Sequence, residues 1–296
     1  MLKAIANEST TCFGFVQSLS FALTIVACIT IGPTTSRADV LLNDSFADGS
    51  RGESKRPAEA AVWVGREADV TIEAGALSTK MGESSQKIWT YFSESEPVTL
   101  AVGQKLTASI SFVPRKVLAE ATSRSLRIGL FHDATSPRVE DDVNNDGGGP
   151  DAPWTDAQGY AVQVLITGGE YSSTKPFDLG KRTNLASPSL LGASGDYTKM
   201  SGGDPVALEL DKEYRVTLEI TKVSDKQVDI TSSMYQGDEQ LSTFSLSDDG
   251  SWLGTEPICD KFDQLFIRIA DNLTTADQID FTNFKVEVTS ETKSAE

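Results

Sequence analysis

The sequence predicts an all-β chain folded as a two-sheet antiparallel β-sandwich, and three observations carry that prediction. Apolar and polar residues alternate with a period of two along segment after segment, which sets one strand face on a core and the other outward. Helical periodicity is nearly absent, and its trace at Val117–Thr122 (VLAEAT) is too short to carry a domain. Gly, Asp, Asn and Ser gather between the segments, as turns between short strands require.

Taken in order, the first interior strands are expected at Asp69–Glu73 and Lys87–Ser93. In the second of these, Trp89 and Tyr91 share a parity opposite Ile88 and Thr90, so one pair must face away from the core. Leu106, Ala108, Ile110 and Phe112 then form one face, with Thr107, Ser109 and Ser111 on the other. Leu126, Ile128 and Leu130 alternate with Arg127, Gly129 and Phe131. Tyr160, Val162, Val164 and Ile166 alternate with Ala161, Gln163 and Leu165, and Tyr214, Val216, Leu218 and Ile220 with Arg215, Thr217 and Glu219. Further strands are expected at Gln227–Tyr235, Leu265–Ala270 and Gln278–Val288. Two long connections break the rhythm: Ala134–Gln158, rich in Asp, Asn, Gly and Pro, and Gly168–Pro205, which holds Lys181-Arg182, Leu190-Leu191 and Tyr197. Loops of this length in a compact sandwich are usually functional or mobile. Both flank the strand centred on Val164, so they are expected to emerge near one another.

The ends set the compartment. Lys3 gives a short basic start, Phe13–Ile31 is almost unbroken apolar and small, Gly32-Pro33 breaks the run, and Ser36-Arg37-Ala38 offers small residues for a signal peptidase. Residues 1–38 therefore read as a secretory signal peptide cleaved after Ala38. Gln17, Ser18 and Ser20 interrupt the run and no basic stop-transfer cluster follows, which disfavours a membrane anchor, and no further apolar run suggests a transmembrane segment in the mature chain. A lipoprotein reading takes Ile25-Val26-Ala27-Cys28 as a loose lipobox, but the residues after Cys28 stay apolar instead of forming a polar tether. Residues 39–288 are then expected to form one sandwich domain, of a size that buries a single large core, with 289–296 a polar tail. Removing Lys3, Arg37 and Glu8 with the signal leaves one more net negative charge than the −17 of the whole chain. Such a balance repels phosphate backbones and anionic membranes, which argues against nucleic acid as a partner. Cys259 stays behind without a partner cysteine and reads as a small buried hydrophobe.

Several segments together resemble the concanavalin A-like lectin/glucanase superfamily in its laminin-G-like jelly-roll form, of a secreted bacterial type. They are LLNDSFADG (41–49), LRIGLFHD (126–133), GYAVQVLI (159–166), EYRVTLEITK (213–222) and DQIDFTNFKVEV (277–288). The resemblance covers nearly all of the mature chain and pairs an opening strand with a closing one. It implies a jelly roll with a concave sheet that faces carbohydrate in many members, but no single activity, because lectins, glycosidases, lyases and inert adhesion modules share the scaffold. It also implies a cation site between first and last strands, from Asp44 or Asp48 with Asp280.

Four arrangements could carry chemistry. Asp142-Val143-Asn144-Asn145-Asp146-Gly147 spells D-x-N-x-D-G, whose alternating oxygens suit a calcium ion held by Asp142, Asn144 and Asp146. Pro153 stands where an EF-hand needs its glutamate, so only a looser site remains, completed by Asp141, Asp151 or Asp156, against the plain alternative of a solvated acidic turn. Glu209-Leu210-Asp211-Lys212-Glu213 spells the E-x-D-x-E of laminarinase-type glycosidases, yet Asp211-Lys212 reads as a turn that would keep the three acids off one face. Eliminative cleavage of a uronate would use Arg127 and Gln163 to neutralise the carboxylate and His132 and Tyr160 to move protons. Tyr160 follows core parity, however, and the paired Q-I-H and Y-x-K-x-G-x-Y patterns of jelly-roll alginate lyases are missing. Binding asks less: Arg127, Gln163 and Arg268 share an outward sheet face, and Trp154, Arg182 and Tyr197 in the long connections could stack on or read sugars. Trp63 and Trp252 are expected in the core. The expectation is a secreted domain that binds carbohydrate, an acidic polysaccharide by its cationic face, with calcium steadying its loops. A polysaccharide lyase or glycoside hydrolase, and a non-catalytic adhesion or structural module of the envelope, are the alternatives. Whether the chain cleaves what it binds stays open.

Overall fold

Alternation decides the architecture. In the computed structural model the alternating segments pair into two large antiparallel sheets that stack over one core. The structure describes residues 38–51, 62–65, 70–73, 75–80, 85–116, 125–142, 154–165, 176–192, 194–206, 208–251, 257–270 and 278–290. Strands β1 (Ala38–Asp44), β2 (Val62–Val64), β3 (Val70–Glu73), β4 (Ala76–Lys80), β5 (Gln86–Tyr91) and β6 (Val98–Thr99) open the chain. The middle supplies β7 (Gln104–Lys116), β8 (Ser125–Asp133), β9 (Ala157–Leu165), β10 (Phe177–Arg182), β11 (Tyr197–Gly202) and β12 (Tyr214–Ser224). Last come β13 (Gln227–Gln236), β14 (Glu239–Asp248), β15 (Lys261–Phe262), β16 (Gln264–Ala270) and β17 (Gln278–Ser290). Among the described residues the helical structure is one 3-10 turn at Ser194–Asp196.

One sheet has eight strands, in the order β14-β13-β12-β7-β17-β4-β3, with β1 also pairing β17. The other has seven, β11-β10-β9-β8-β16-β5-β2, and β15 with β6 makes a small ribbon. The opening strand lies on the closing one, from Ala38 opposite Thr289 to Asp44 opposite Phe284. Between the sheets sit Leu106, Ala108 and Ile110 of β7 and Val216, Leu218 and Ile220 of β12. Facing them are Leu126, Ile128 and Leu130 of β8 and Val162 and Val164 of β9, all fully buried. Each of the larger side chains contributes roughly 1.5–3 kcal/mol by leaving water. This is the jelly-roll-type β-sandwich the sequence predicts.

Three expectations change. Gly168–Pro205 is not one loop, because β10 and β11 lie inside it and extend the seven-stranded sheet. The strand β10 is masked in the sequence because Lys181 occupies an inward position after Phe177 and Leu179. Its Nζ lies 2.9 Å from Asp248 Oδ2 of β14, both side chains buried. The same carboxylate oxygen accepts the Tyr160 hydroxyl at 2.6 Å, and Tyr160 Oη in turn accepts the Cys259 N–H at 3.0 Å. Burial raises the Tyr160 phenol far above its ordinary range and takes the Cys259 thiol up to about 12. Strand β14 was likewise unmarked, its outward face being Thr243, Ser245 and Ser247. Finally, Thr289 and Ser290 do not belong to a tail, since they still pair with Lys105 and Gln104. Residues 1–37, with the signal segment and Cys28, the short Val117–Thr122 trace and residues 291–296 lie outside the described residues.

Candidate functional site

Strand register arranges the outward side chains of the seven-stranded sheet in rows. One row runs Lys87, Arg268, Arg127, Gln163, Asp178, Ser201 across β5, β16, β8, β9, β10 and β11. The next runs Trp89, Phe266, Gly129, Ala161, Gly180, Lys199 over the same strands. A third begins Tyr91, Gln264, Phe131, Gly159. The face is thus cationic at one end and aromatic at the other.

The aromatic end is not open to water. Segments from the two long connections cover it, and Trp154, Leu190 and Leu191 pack on Trp89, Tyr91, Phe131 and Phe266 as a second, smaller core. Trp89 stacks on Phe266 at 5.9 Å, and Trp154 meets both edge-on at 5.3 and 5.2 Å. Gly129 and Gly159 make room for the Phe131 ring, because a Cβ on either would fall within 3 Å of it. Buried polar contacts fix the roof. Arg182 donates to the carbonyls of Trp154 (2.7 Å), Ala157 (2.8 Å) and Ser187 (2.5 Å). Arg138 donates to Ser93 and Glu94 carbonyls and to Asp263 Oδ2 at 3.1 Å, and Trp89 Nε1 donates to Val139 O at 2.9 Å. Burial lowers the Arg182 pKa, opposed by the nearby Tyr197 and Asp133.

Where the roof ends a narrow pocket of about 20 Å³ opens. Ala161 and Gly180 form its floor, Leu191 and Tyr197 its apolar wall, and Arg127, Gln163, Asp178 and Lys199 its polar side. Arg127 donates to Leu191 O at 2.6 Å and to Gly192 O, which ties the roof edge to the sheet. Leu191 takes a left-handed conformation (φ 55°), unfavourable for a branched side chain, and its N–H donates to Tyr197 Oη at 3.0 Å. Burial, then Arg268 opposite, lowers the Arg127 pKa. Burial also lowers that of Lys199, against the pull of Asp178, whose Oδ2 is 4.0 Å away. Burial takes the Tyr197 phenol up to about 12. Arg268 itself donates to Ser189 Oγ (3.2 Å) and Ser85 Oγ (2.7 Å).

Of the residues the sequence singled out for binding, Arg127, Gln163 and Tyr197 line the pocket, and Arg268 stands in the row of the first two without lining it. Trp154 and Arg182 do not reach it. Both are withdrawn from solvent, because outward on this sheet means under the roof. The set proposed for eliminative cleavage does not converge. Tyr160 points into the core, on the opposite side of the sheet from Arg127 and Gln163. His132 sits at the far end of β8, its Nδ1 3.5 Å from Asp263 Oδ1, about 17 Å along the strand from Arg127. The acids of the E-x-D-x-E run are split by a turn: Asp211 has φ 59° and pairs with Arg115 at 3.1 Å, while Glu213 accepts Thr282 Oγ1 at 2.6 Å.

The cation sites fare no better. Asp142 Oδ1 accepts Arg51 Nη1 at 2.6 Å and the Val64 N–H at 2.9 Å. Burial pushes its pKa up, but these two contacts prevail and hold it below the usual carboxylate range. A calcium ion there would have to displace or sit beside an arginine, so Asp142 fits the role poorly, and Asn144, Asp146 and Asp151 lie outside the described residues. In the first-to-last-strand site, Asp44 caps the Phe46 N–H at 2.8 Å, Asp48 holds Ser50, and Asp280 is bound to Arg115 at 2.6 Å. Among the described residues no three His, Cys, Asp or Glu side chains are placed to hold a metal ion.

Sequence reasoning missed Asp178, Gly180 and Lys199, because they lie on the two strands read as loop. It also passed over Asp133, at the end of β8 beneath the roof. Asp133 is buried with neither carboxylate oxygen hydrogen-bonded, and burial, then Asp263, lifts its pKa to about 7.

Compared by sequence, the chain matches no protein-family model and no curated protein. Compared by structure, it is similar to the VIP36 exoplasmic/lumenal domain in a Ca2+/Man-bound form, at a TM-score of 0.50 and 10% identity over 88% of this chain and 93% of that one. It is also similar to the winged bean acidic lectin complexed with methyl-alpha-D-galactose (TM-score 0.47, 13% identity, 86% and 99% covered). A third likeness is to peanut lectin with a 9mer peptide (TM-score 0.46, 14% identity, 88% and 100% covered). At such identities the likeness concerns the fold, which is the concanavalin A-like lectin sandwich.

Proposed function

We propose that this chain is an exported carbohydrate-binding domain that seats one acidic sugar residue of a polysaccharide in the pocket at the roof edge. The observation that carries this is the row Arg127, Gln163, Asp178 opening on a small-residue floor beside Tyr197 and Lys199. A guanidinium matches a carboxylate in fork geometry, the amide and Asp178 can read hydroxyls, and an aromatic wall suits the apolar face of a sugar. The enclosed part of the pocket is only about 20 Å³, so the sugar ring rests at its mouth and only the carboxylate group enters. The lectin fold, shared with the VIP36 exoplasmic/lumenal domain in its Ca2+/Man-bound form, supports a sugar ligand. The signal-like residues 1–38 support a ligand outside the cell.

The test is retention of the mature chain on a panel of uronate-containing and neutral polysaccharides, run beside Ala161→Trp and Arg127→Ala. Ala161→Trp crowds the floor and should abolish retention on the acidic glycan, Arg127→Ala should weaken it, and thermal melts show whether each variant is folded. Rising salt should weaken the wild-type interaction. Retention that survives both substitutions, or no acidic glycan retained at all, overturns the assignment.

A further inference from the structure

We infer that the roof over the seven-stranded sheet is a pH-sensitive lid, sealed in mildly acidic solution and loosened toward neutral pH, with the buried carboxyl pair Asp133 and Asp263 as its sensor. Asp133 follows Phe131 by two residues on β8, so its side chain enters the same layer under the roof. It is buried and neither carboxylate oxygen has a hydrogen-bond partner. Asp263 is buried too. Arg138 donates to its Oδ2 at 3.1 Å, while its Oδ1 accepts no hydrogen bond and lies 3.5 Å from His132 Nδ1.

Groups face the pair from each neighbouring element. Arg182 comes from β10, Arg138 from the chain after β8, Tyr91 from β5 and His132 from β8 itself. Strand β9 sets Ala157 opposite Asp133, and the preceding Asp156 is held by the Thr135 hydroxyl at 2.5 Å. The two arginines are the roof's own ties: Arg182 holds the Trp154, Ala157 and Ser187 carbonyls, and the Arg138 guanidinium lies 4.7 Å over the Tyr91 ring. Burial and then Asp263 favour the proton on Asp133, against the pull of Arg182, His132 and Arg138. With that proton in place the covered layer holds a neutral carboxyl. Once it leaves, two carboxylates stand close together away from water, and lifting the roof is what hydrates them. Opening therefore releases a proton. It grows about tenfold per pH unit from the ordinary carboxylate range up to about pH 7 and levels off above. Leu191 belongs to the roof and walls the pocket, so, resting on the sugar-binding reading above, the lid also sets how firmly the pocket holds its ligand.

The test is amide hydrogen exchange of the mature chain in EDTA from pH 5 to 8, without glycan and corrected for intrinsic rates, beside Asp133→Asn, Asp263→Asn and His132→Gln. Thermal melts show whether each variant is folded. The amides to follow are Val139, Asp156 and Leu191, whose N–H groups are hydrogen-bonded in the roof. In the wild type they should lose about tenfold in protection per pH unit up to pH 7 and stay less protected than the amides of β7 and β12. Asp133→Asn should show a flat profile, Asp263→Asn should level off at lower pH, and His132→Gln should follow the wild type. Retention on an acidic glycan, whose uronate stays charged over this range, should fall with the same profile in the wild type and not in Asp133→Asn. Roof amides as protected as the core, or a profile unchanged in Asp133→Asn, overturn the inference. A profile lost in His132→Gln instead moves the sensor to the histidine and overturns it as well. Protection regained at pH 8 on adding calcium, by the wild type and not by Asp133→Asn, overturns it in favour of a cation seat. Exchange needs no glycan, so a chain that retains none fails the pocket reading and leaves the lid to be decided by exchange alone. Flat retention beside a changing exchange profile overturns the link between lid and pocket.

Discussion

Replacing Asp133 by asparagine should stabilise the protein at pH 8 and leave it unchanged near pH 4. Asp133 is 8% exposed, neither of its oxygens is hydrogen-bonded, and its pKa rises from the ordinary 3.8 to about 7. Burial is the main cause and the Asp263 carboxylate the second, against which Arg182, His132 and Arg138 pull the other way. A carboxyl with a raised folded pKa holds its proton more tightly when folded than when unfolded. The unfolded chain therefore releases that proton from about pH 4, the folded one only near pH 7, and stability falls across that window. A shift of about three pKa units at 1.36 kcal/mol each puts the loss at up to about 4 kcal/mol at pH 8. Asparagine has the same shape and no charge to lose, so the variant should lack this component. Urea unfolding of both proteins at each pH from 4 to 8, in EDTA so that cation binding does not enter, gives the difference directly. We expect the midpoints to coincide at pH 4 and to diverge above pH 5, the variant ending 2–4 kcal/mol more stable at pH 8. Parallel curves, or a variant less stable at pH 8, would show that the charged form of Asp133 is well accommodated and refute the reasoning.

Three other substitutions test the supports of the site. Lys181→Met leaves the fully buried Asp248 without its cation and should cost about 3–5 kcal/mol in urea unfolding. Adding Asp248→Asn should recover much of that cost, and an additive double variant would deny the coupling. Arg182→Met strands three buried carbonyls of the roof, a loss of about 3 kcal/mol at one each, and should speed hydrogen exchange at 185–197 and weaken sugar retention. Unchanged exchange there would mean that the aromatic packing holds the roof alone. Asp142→Asn should cost about 1 kcal/mol equally in EDTA and in millimolar calcium, because Arg51 and Val64 hold that carboxylate. A cost seen only with calcium would restore the cation role.

The sandwich was legible because its inward positions are apolar with few exceptions. Leu126, Ile128 and Leu130, or Val216, Leu218 and Ile220, admit no other period, and Arg127, Gln163 and Arg268 fall outward by the same parity. The exceptions are where reading failed. Lys181 and Asp248 point inward as a buried pair, so β10 lost its pattern, and with β10 and β11 went Asp178, Gly180 and Lys199. Parity also gives only a direction and does not say what lies there. Trp89, Tyr91, Trp154 and Arg182 are outward or in a loop by sequence, yet they are buried, because the cover comes from segments distant along the chain. A local pattern carries no trace of such contacts.

That cover explains why the pocket lies where it does. Aromatic side chains on the outer face of a sheet need burial, and the roof supplies it over the rows of Trp89 and Tyr91. In the row of Lys87, Arg268 and Arg127 the roof covers Lys87, whose Nζ lies 5.6 Å from the Trp154 ring, while Arg268 and Arg127 stay only partly buried at its edge. Arg127 marks the roof's boundary by donating to the Leu191 and Gly192 carbonyls at its last turn. Ala161 and Gly180 lie under the same boundary and leave the space below it empty. A pocket with one cationic wall and one aromatic wall thus opens where the roof ends, between Arg127, Lys199 and Tyr197. The left-handed turn at Leu191 is the strain that closes the seam.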